Sequence, residues 1–281
     1  MKLTKYIAAA VAALSVSAGL AIAAAAPAAA APPACAPEAD VFGFESDGDL
    51  FVYPHATPES GTASWAGKRY IGQGWEAGTT LVGPDGVFYK VTVTGELRRY
   101  HWNGNGWDTF EGGLQYRVVG SGFNHYLGAH GFIGTIDSAE RLYFTDFDKL
   151  RVYAWDKARG EFTPETRNGP VIDTGWRGVG KFTAAGDGVL YARGQDGELT
   201  RSVYRSGAWA QRFQPVGTGW NGMQSITSAG GDVVYGNTYR GDLHWYRFDP
   251  ATNTWAPNSG TQIGYGWTNV GVLADVTSCL S

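Results

Sequence analysis

Ile71-Gly72-Gln73-Gly74-Trp75 is the stretch that decides the fold, because the same phrase returns four times along the chain. It reappears as Val119-Gly120-Ser121-Gly122-Phe123, Ile172-Asp173-Thr174-Gly175-Trp176, Val216-Gly217-Thr218-Gly219-Trp220 and Ile263-Gly264-Tyr265-Gly266-Trp267. The aromatic positions are 48, 53, 44 and 47 residues apart. Self-similarity at such a period marks a propeller or a solenoid.

The content of each interval chooses between them. Gly178 to Ala184, Val189 to Arg193 and Glu198 to Tyr204 alternate in apolar pattern, separated by Gly186-Asp187-Gly188 and Gln195-Asp196-Gly197. A fourth segment runs through Trp209 to Val216, and the other intervals align with this one through Val87-Phe88-Tyr89, Leu142-Tyr143 and Val233-Val234-Tyr235. Four short strands per repeat make a propeller blade, whereas a solenoid coil needs one or two. Composition agrees: 41 glycines, 11 tryptophans and 15 tyrosines with only 17% charged residues suit many short strands and tight turns.

The ends complete a fifth repeat. After Trp267 one strand remains, Asn269 to Val276, while three precede Trp75: Val41 to Glu45, Asp49 to Tyr53 and Trp65 to Ile71. Joined, they give a five-bladed β-propeller of four antiparallel strands per blade, with one blade shared between the termini. Cys279 follows the first strand of that blade and Cys35 precedes the second, so a Cys35–Cys279 disulfide replaces the missing turn. Such a long covalent loop predicts on the order of 5 kcal/mol of stabilisation in the chain-entropy picture.

Residues 1–31 read as a signal peptide: Lys2 and Lys5, an apolar run from Ile7, then an Ala-Pro tract with cleavage near Ala31. Residues 32–281 then form the single propeller domain, secreted and extracellular, with no membrane span. Loss of the two lysines takes the formal charge from −4 to about −6. An acidic surface argues against nucleic acid as a partner.

The repeats resemble the tachylectin-2 family of five-bladed propeller lectins, in which an aliphatic-Gly-x-Gly-Trp turn leads into the innermost strand. The resemblance implies carbohydrate binding, N-acetylated sugars in particular, at several weak sites between blades. The loops it designates carry Trp75, Trp176, Trp220 and Trp267, facing turns with Asp47, Glu96, Asp148, Asp196 and Asp242. An aromatic ring covers the apolar face of a pyranose while polar groups take its hydroxyls. The tryptophans can equally wedge between blades, and the turn acids can simply bond their own backbone. The family's Pro-Pro and Asp-Asn-Trp signature is absent, and Phe123 and Asp173 break the repeat, so five equivalent sites are not expected.

Catalysis finds little support. The inner strands, Ala77 to Val82, Gly128 to Thr135, Gly178 to Ala184, Met223 to Ser228 and Asn269 to Leu273, contain no Asp or Glu; only Asp137 and Asp275 lie near strand ends. A glycosidase needs a carboxylate pair across the scissile bond. His125 and His130 have no third ligand between them, and the Asp47 and Asp146 segments are only fragments of calcium loops. The expectation is a monomeric lectin without catalytic residues, cofactor or metal. The alternative is a propeller whose blade-edge loops bind another secreted protein, with a glycoside hydrolase behind both.

Overall fold

A computed structural model describes residues 33–127 and 134–280. The predicted signal peptide, His130 and most of the segment 128–135 lie outside the described residues. Hydrogen bonding gathers the strands into five sheets in an all-β, propeller-like arrangement. The first sheet runs, inner to outer, through Gly271–Ala274, Ala39–Phe44, Leu50–His55 and Arg69–Gly72. The second uses Thr80–Val82, Val87–Val91, Leu97–His101 and Arg117–Gly120. The third starts at Gly134–Ile136, the fourth at Val179–Ala184 and the fifth at Met223–Gly230.

The innermost strands meet in sequence: Thr80–Val82 against Gly134–Ile136, that against Val179–Ala184, then Met223–Gly230, then Gly271–Ala274, which returns to Thr80–Val82. Five hydrophobic clusters follow, one at each junction of neighbouring sheets. Buried polar groups stitch the same junctions. Tyr89 and Arg99 donate to Glu140 (2.8 and 2.7 Å), and Tyr191 and Arg201 to Asp232 (2.6 and 2.8 Å). Such buried charged pairs hold the register, because leaving either partner unpaired there is costly; Asp232 is bonded through both oxygens, Glu140 through Oε1 alone.

Four strands per sheet hold in the first, second and fourth sheets; the third has five and the fifth seven. The cause is an outermost strand broken in two. Glu161–Phe162 and Val171–Thr174 both pair with Lys149–Asp156, and Thr254–Trp255 and Thr261–Gly264 both pair with Leu243–Asp249. The fifth sheet also gains the chain ends. Cys35 pairs directly opposite Cys279, which lies beside Gly230, and the two cysteines form a disulfide with Cα atoms 3.9 Å apart. The bridge thus sits between Gly271–Ala274 and Ala39–Phe44, as the sequence implies, while also tying both termini to the neighbouring sheet.

Candidate functional site

The repeated motif is a fixed piece of geometry. Its second glycine, Gly74, Gly122, Gly175, Gly219 or Gly266, takes a positive φ between 78° and 89°, which side chains with a Cβ rarely adopt. The following aromatic turns inward and donates its backbone N–H to the turn between the second and third strands of its own sheet. The acceptors are the carbonyls of Gly48, Gly95, Asp148, Gly197 and Gly241, at 2.9 to 3.0 Å. The first glycine has a different reason. A Cβ at Gly217 would lie 2.8 Å from Trp220 Nε1, and one at Gly264 2.7 Å from Trp267 Nε1. In the third repeat Asp173 stands there instead, and its carboxylate accepts from Trp176 Nε1 at 3.0 Å and Arg212 Nε at 2.8 Å.

Trp75, Trp176, Trp220 and Trp267 are between 1% and 6% exposed, and each packs across the junction on the outer tryptophan of the next sheet: Trp107, Trp209, Trp255 and Trp65. Three of those outer indoles donate to the motif's aliphatic carbonyl: Trp65 to Ile263 at 2.7 Å, Trp107 to Ile71 and Trp255 to Val216, both at 2.6 Å. The four motif tryptophans are thus packed against neighbouring indoles, and Trp267 also walls an open cleft described below.

The acidic residues named from the sequence occupy three different turn positions. Asp148 stands at the position whose carbonyl accepts; Asp47 and Asp196 precede that position and Glu96 and Asp242 follow it. Asp47 and Asp196 accept the N–H groups of Asp49 and Glu198 at 3.1 Å. Glu96 takes Arg98 through both Nε and Nη2 (2.9 and 2.6 Å), and Asp242 takes Gln262 Nε2 at 3.0 Å. Asp148 is exposed in a tight hairpin that places Phe147, not a glycine, at positive φ.

Among the described residues, two clefts open at equivalent places, each between one sheet's motif and the second-to-third-strand turn of the next. The larger, about 600 Å³, lies between the fifth and first sheets and is lined by Gln262 to Trp267, Val270, Glu45, Tyr53, Trp65 and Lys68. Tyr265 at its edge is 87% exposed. Lys68 donates to Glu45 at 2.6 Å and stands 3.6 Å from the Phe51 ring centroid. Desolvation pulls the Lys68 ammonium down, but its hydrogen bonds to Glu45 and Tyr53 outweigh that and raise its pKa. The second cleft, about 510 Å³, lies between the third and fourth sheets, lined by Gly175, Val179, Ala192, Gln195, Asp196, Glu198, Thr200 and Phe213. Backbone amides, carboxylates and ring edges converge in both, the donor and acceptor mixture that binds polyols.

One register position separates these junctions from another. Gly43, Lys90, Phe144, Ala192 and Gly236 all pair with the same level of the inner strands. The open clefts have Gly43 and Ala192 there. Between the first and second sheets, Lys90 reaches across to donate to the Gly74 carbonyl at 2.5 Å, over the Trp75 ring. Phe144 is fully buried, and Met223 Sδ would lie 2.9 Å from a Cβ at Gly236.

The interior channel leaves only about 30 Å³ among apolar, threonine and serine side chains and carries no carboxylate among its lining residues. Asp137 is engaged by Arg141, Tyr143 and the Gly188 amide, and Asp275 by the amides of Gly86 and Thr277. His125 has Nδ1 2.8 Å from the Gly122 carbonyl. Among the described residues no three His, Cys, Asp or Glu side chains gather as a metal site, and no helix is long and apolar enough to cross a membrane.

Among curated proteins none matches the chain. Solved structures with a similar trace include the SapL1 lectin in complex with α-methyl fucoside (16% identity, TM-score 0.46, covering 86% of each chain). The six-bladed lectin of Aleuria aurantia shares 15% identity over 83% of this chain and 85% of its own, with a TM-score of 0.38. A Trichoderma reesei carbohydrate-active enzyme of family AA12 shares 12% over 80% and 60%, with a TM-score of 0.43. These likenesses are too distant to carry an argument about this chain. The Tachylectin family model, by contrast, matches residues 43–271, which span all five motifs. The chain belongs to the Tachylectin family.

Proposed function

We propose that this protein is a secreted, monomeric lectin: a five-bladed propeller, each sheet a blade, whose two open inter-blade clefts bind carbohydrate. The observation that carries the reading is the pair of clefts of about 600 and 510 Å³ at equivalent junctions, each combining a motif turn with the polar turn of the next sheet. Tyr265 and Tyr53 offer rings in one, Phe213 in the other; Asp196, Glu198, Gln262 and the glycine backbone offer hydrogen-bond partners. Family membership supports N-acetylated sugars as the ligand class. Two shallow sites favour a repeating polysaccharide or a clustered glycoprotein, because linked binding events multiply weak affinities.

The reading is non-enzymatic and needs no cofactor. Both inner-strand-end aspartates are committed to the fold, and among the described residues no Asp or Glu lines the channel or its mouth to supply the pair that glycoside hydrolysis needs. Secretion is supported by the disulfide, which persists in oxidising compartments. One observation favours the protein-binding alternative: Val93 (86%), Phe147 (73%) and Tyr239 (64%) expose apolar side chains on turns of the motif-bearing face.

A glycan-array screen of the mature protein, repeated with free N-acetylglucosamine as competitor, tests the proposal. Selective signals abolished by the free sugar are expected. A folded protein silent across the array contradicts it and turns attention to the exposed turns.

A further inference from the structure

Apart from the inter-blade clefts, the central channel widens at the N-terminal ends of the inner strands into a mouth of about 210 Å³. Its polar lining is Thr80, Lys181, Gln224 and Ser225, and no Asp or Glu is among its lining residues. Lys181 pairs directly across from Arg193, so two cations stand side by side. Arg193 Nη1 donates to the Met223 carbonyl at 2.9 Å, but its buried Nε has no partner among the described residues. Among the described residues no carboxylate comes within ion-pair distance of Lys181. The mouth's walls desolvate the Lys181 ammonium, and Arg193 repels it, so its pKa falls below the usual lysine value.

Thr80 supplies a second, independent sign. It is 1% exposed and its hydroxyl has no hydrogen-bond partner among the described residues. At the same register the other inner strands carry Gly134, Phe182, Ile226 and Val272, so packing does not require a hydroxyl there. The neighbouring-level threonines differ: Thr135 Oγ1 accepts from the Ala184 amide at 2.8 Å and Thr227 Oγ1 from the Ala274 amide at 2.9 Å. A buried unpaired hydroxyl costs free energy that a bound acceptor would recover, and the exposed Lys181 ammonium has, among the described residues, no carboxylate partner with which an incoming anion must compete.

We propose that the channel mouth is an anion-binding site for one oxyanion group, sulfate or carboxylate, held by Lys181 with Thr80, Gln224 and Ser225 as neutral donors. The whole chain is acidic, with formal net charge −4, so this positive locus is local rather than part of a basic surface. The group can arrive as a free ion or as the charged substituent of an acidic sugar.

Amide chemical shifts of the full mature chain, followed by NMR at constant ionic strength, distinguish these sources when sulfate and glucuronate are titrated separately. Saturable shifts at Gln224 and Ser225 are expected. Sulfate acting alone assigns a free ion; tighter glucuronate binding assigns an acidic glycan. Lys181→Gln should weaken the anion at least tenfold, Lys181→Arg should restore it to within about threefold, and Thr80→Val should weaken it about threefold. N-acetylglucosamine should shift Gly264 and Tyr265 but not Gln224, so failure of the lectin reading shows separately. No saturable shift at Gln224 and Ser225 with either anion, or unchanged binding by Lys181→Gln, overturns the proposal.

Discussion

On one flank of the first sheet Gly43 leaves room for an open cleft beneath Tyr265; on the other, at the same register, Lys90 of the second sheet spans the junction and caps the Gly74 carbonyl. The motif, its inward tryptophan and the backbone bond that holds it are the same at both junctions. The repeat sets the common geometry, while at these two junctions the second-strand side chain at one register position differs: Gly43 leaves space and Lys90 fills it. Ring closure adds a second contrast. The open junction is the one spanned by Cys35–Cys279, and loop residues Pro58 and Glu59 latch it by accepting from Trp245 Nε1 (2.7 Å) and Arg247 Nη1 (3.1 Å). Continuous chain crosses both junctions, Gly264 to Gly271 at the open one and Gly72 to Thr80 at the filled one; the disulfide and this loop are added at the open one.

The largest effect expected is from Cys279→Ser. It should cost about 2–5 kcal/mol, read by thermal unfolding, and hydrogen exchange should accelerate at Ala274 and Gly230 before Val82. Equal acceleration at both flanks would erase the second contrast.

Next comes the gate. Lys90→Gly should open a third cleft and Ala192→Lys should close one, taking sugar stoichiometry by calorimetry from two to three and from two to one. An unchanged count in both variants would show that this position does not control access.

Smaller, and still measurable, is the indole bond at the open junction. Trp65→Phe removes the donor to Ile263, whereas Trp209 Nε1 is buried without an acceptor. Chemical unfolding should therefore find Trp65→Phe costlier than Trp209→Phe by about 1 kcal/mol. Equal costs would mean that ring area alone matters.

The smallest effect is a pH dependence confined to the open junction. His55 is fully buried there, its Nε2 donating to the Thr62 carbonyl and its Nδ1 accepting from Tyr235 OH. Burial lowers its pKa below the ordinary 6.5. A histidine held neutral by the fold takes up protons more readily when unfolded, so its stabilisation is complete above the unfolded pKa and is lost as pH falls below it. Urea midpoints should drop between pH 7.5 and 5.5, less steeply in His55→Gln. An identical slope in the variant would assign the loss elsewhere.

Much of this was legible in the sequence, because the motif needs particular residues: a glycine at positive φ, and beside the indole a second glycine or an acid that bonds it. Cysteine placement likewise followed from strand counting. The turn acids were not legible in register, since Asp47-Gly48, Gly95-Glu96 and Phe147-Asp148 look alike as text yet put their carboxylates at different places around one carbonyl. Tyr265 and Lys90 were missed for another reason: the first varies at a repeat position where Gln73, Ser121, Thr174 and Thr218 are also exposed, and the second sits within an ordinary strand. The exposed x between the two motif glycines was the available signal for the first.

Diffraction from crystals of the protein soaked with N-acetylglucosamine tests the central claim most directly. The account predicts sugar density against Tyr265 and against Phe213, with none beside Lys90. Density at the Lys90 junction, or none in either open cleft at saturating sugar, would contradict it.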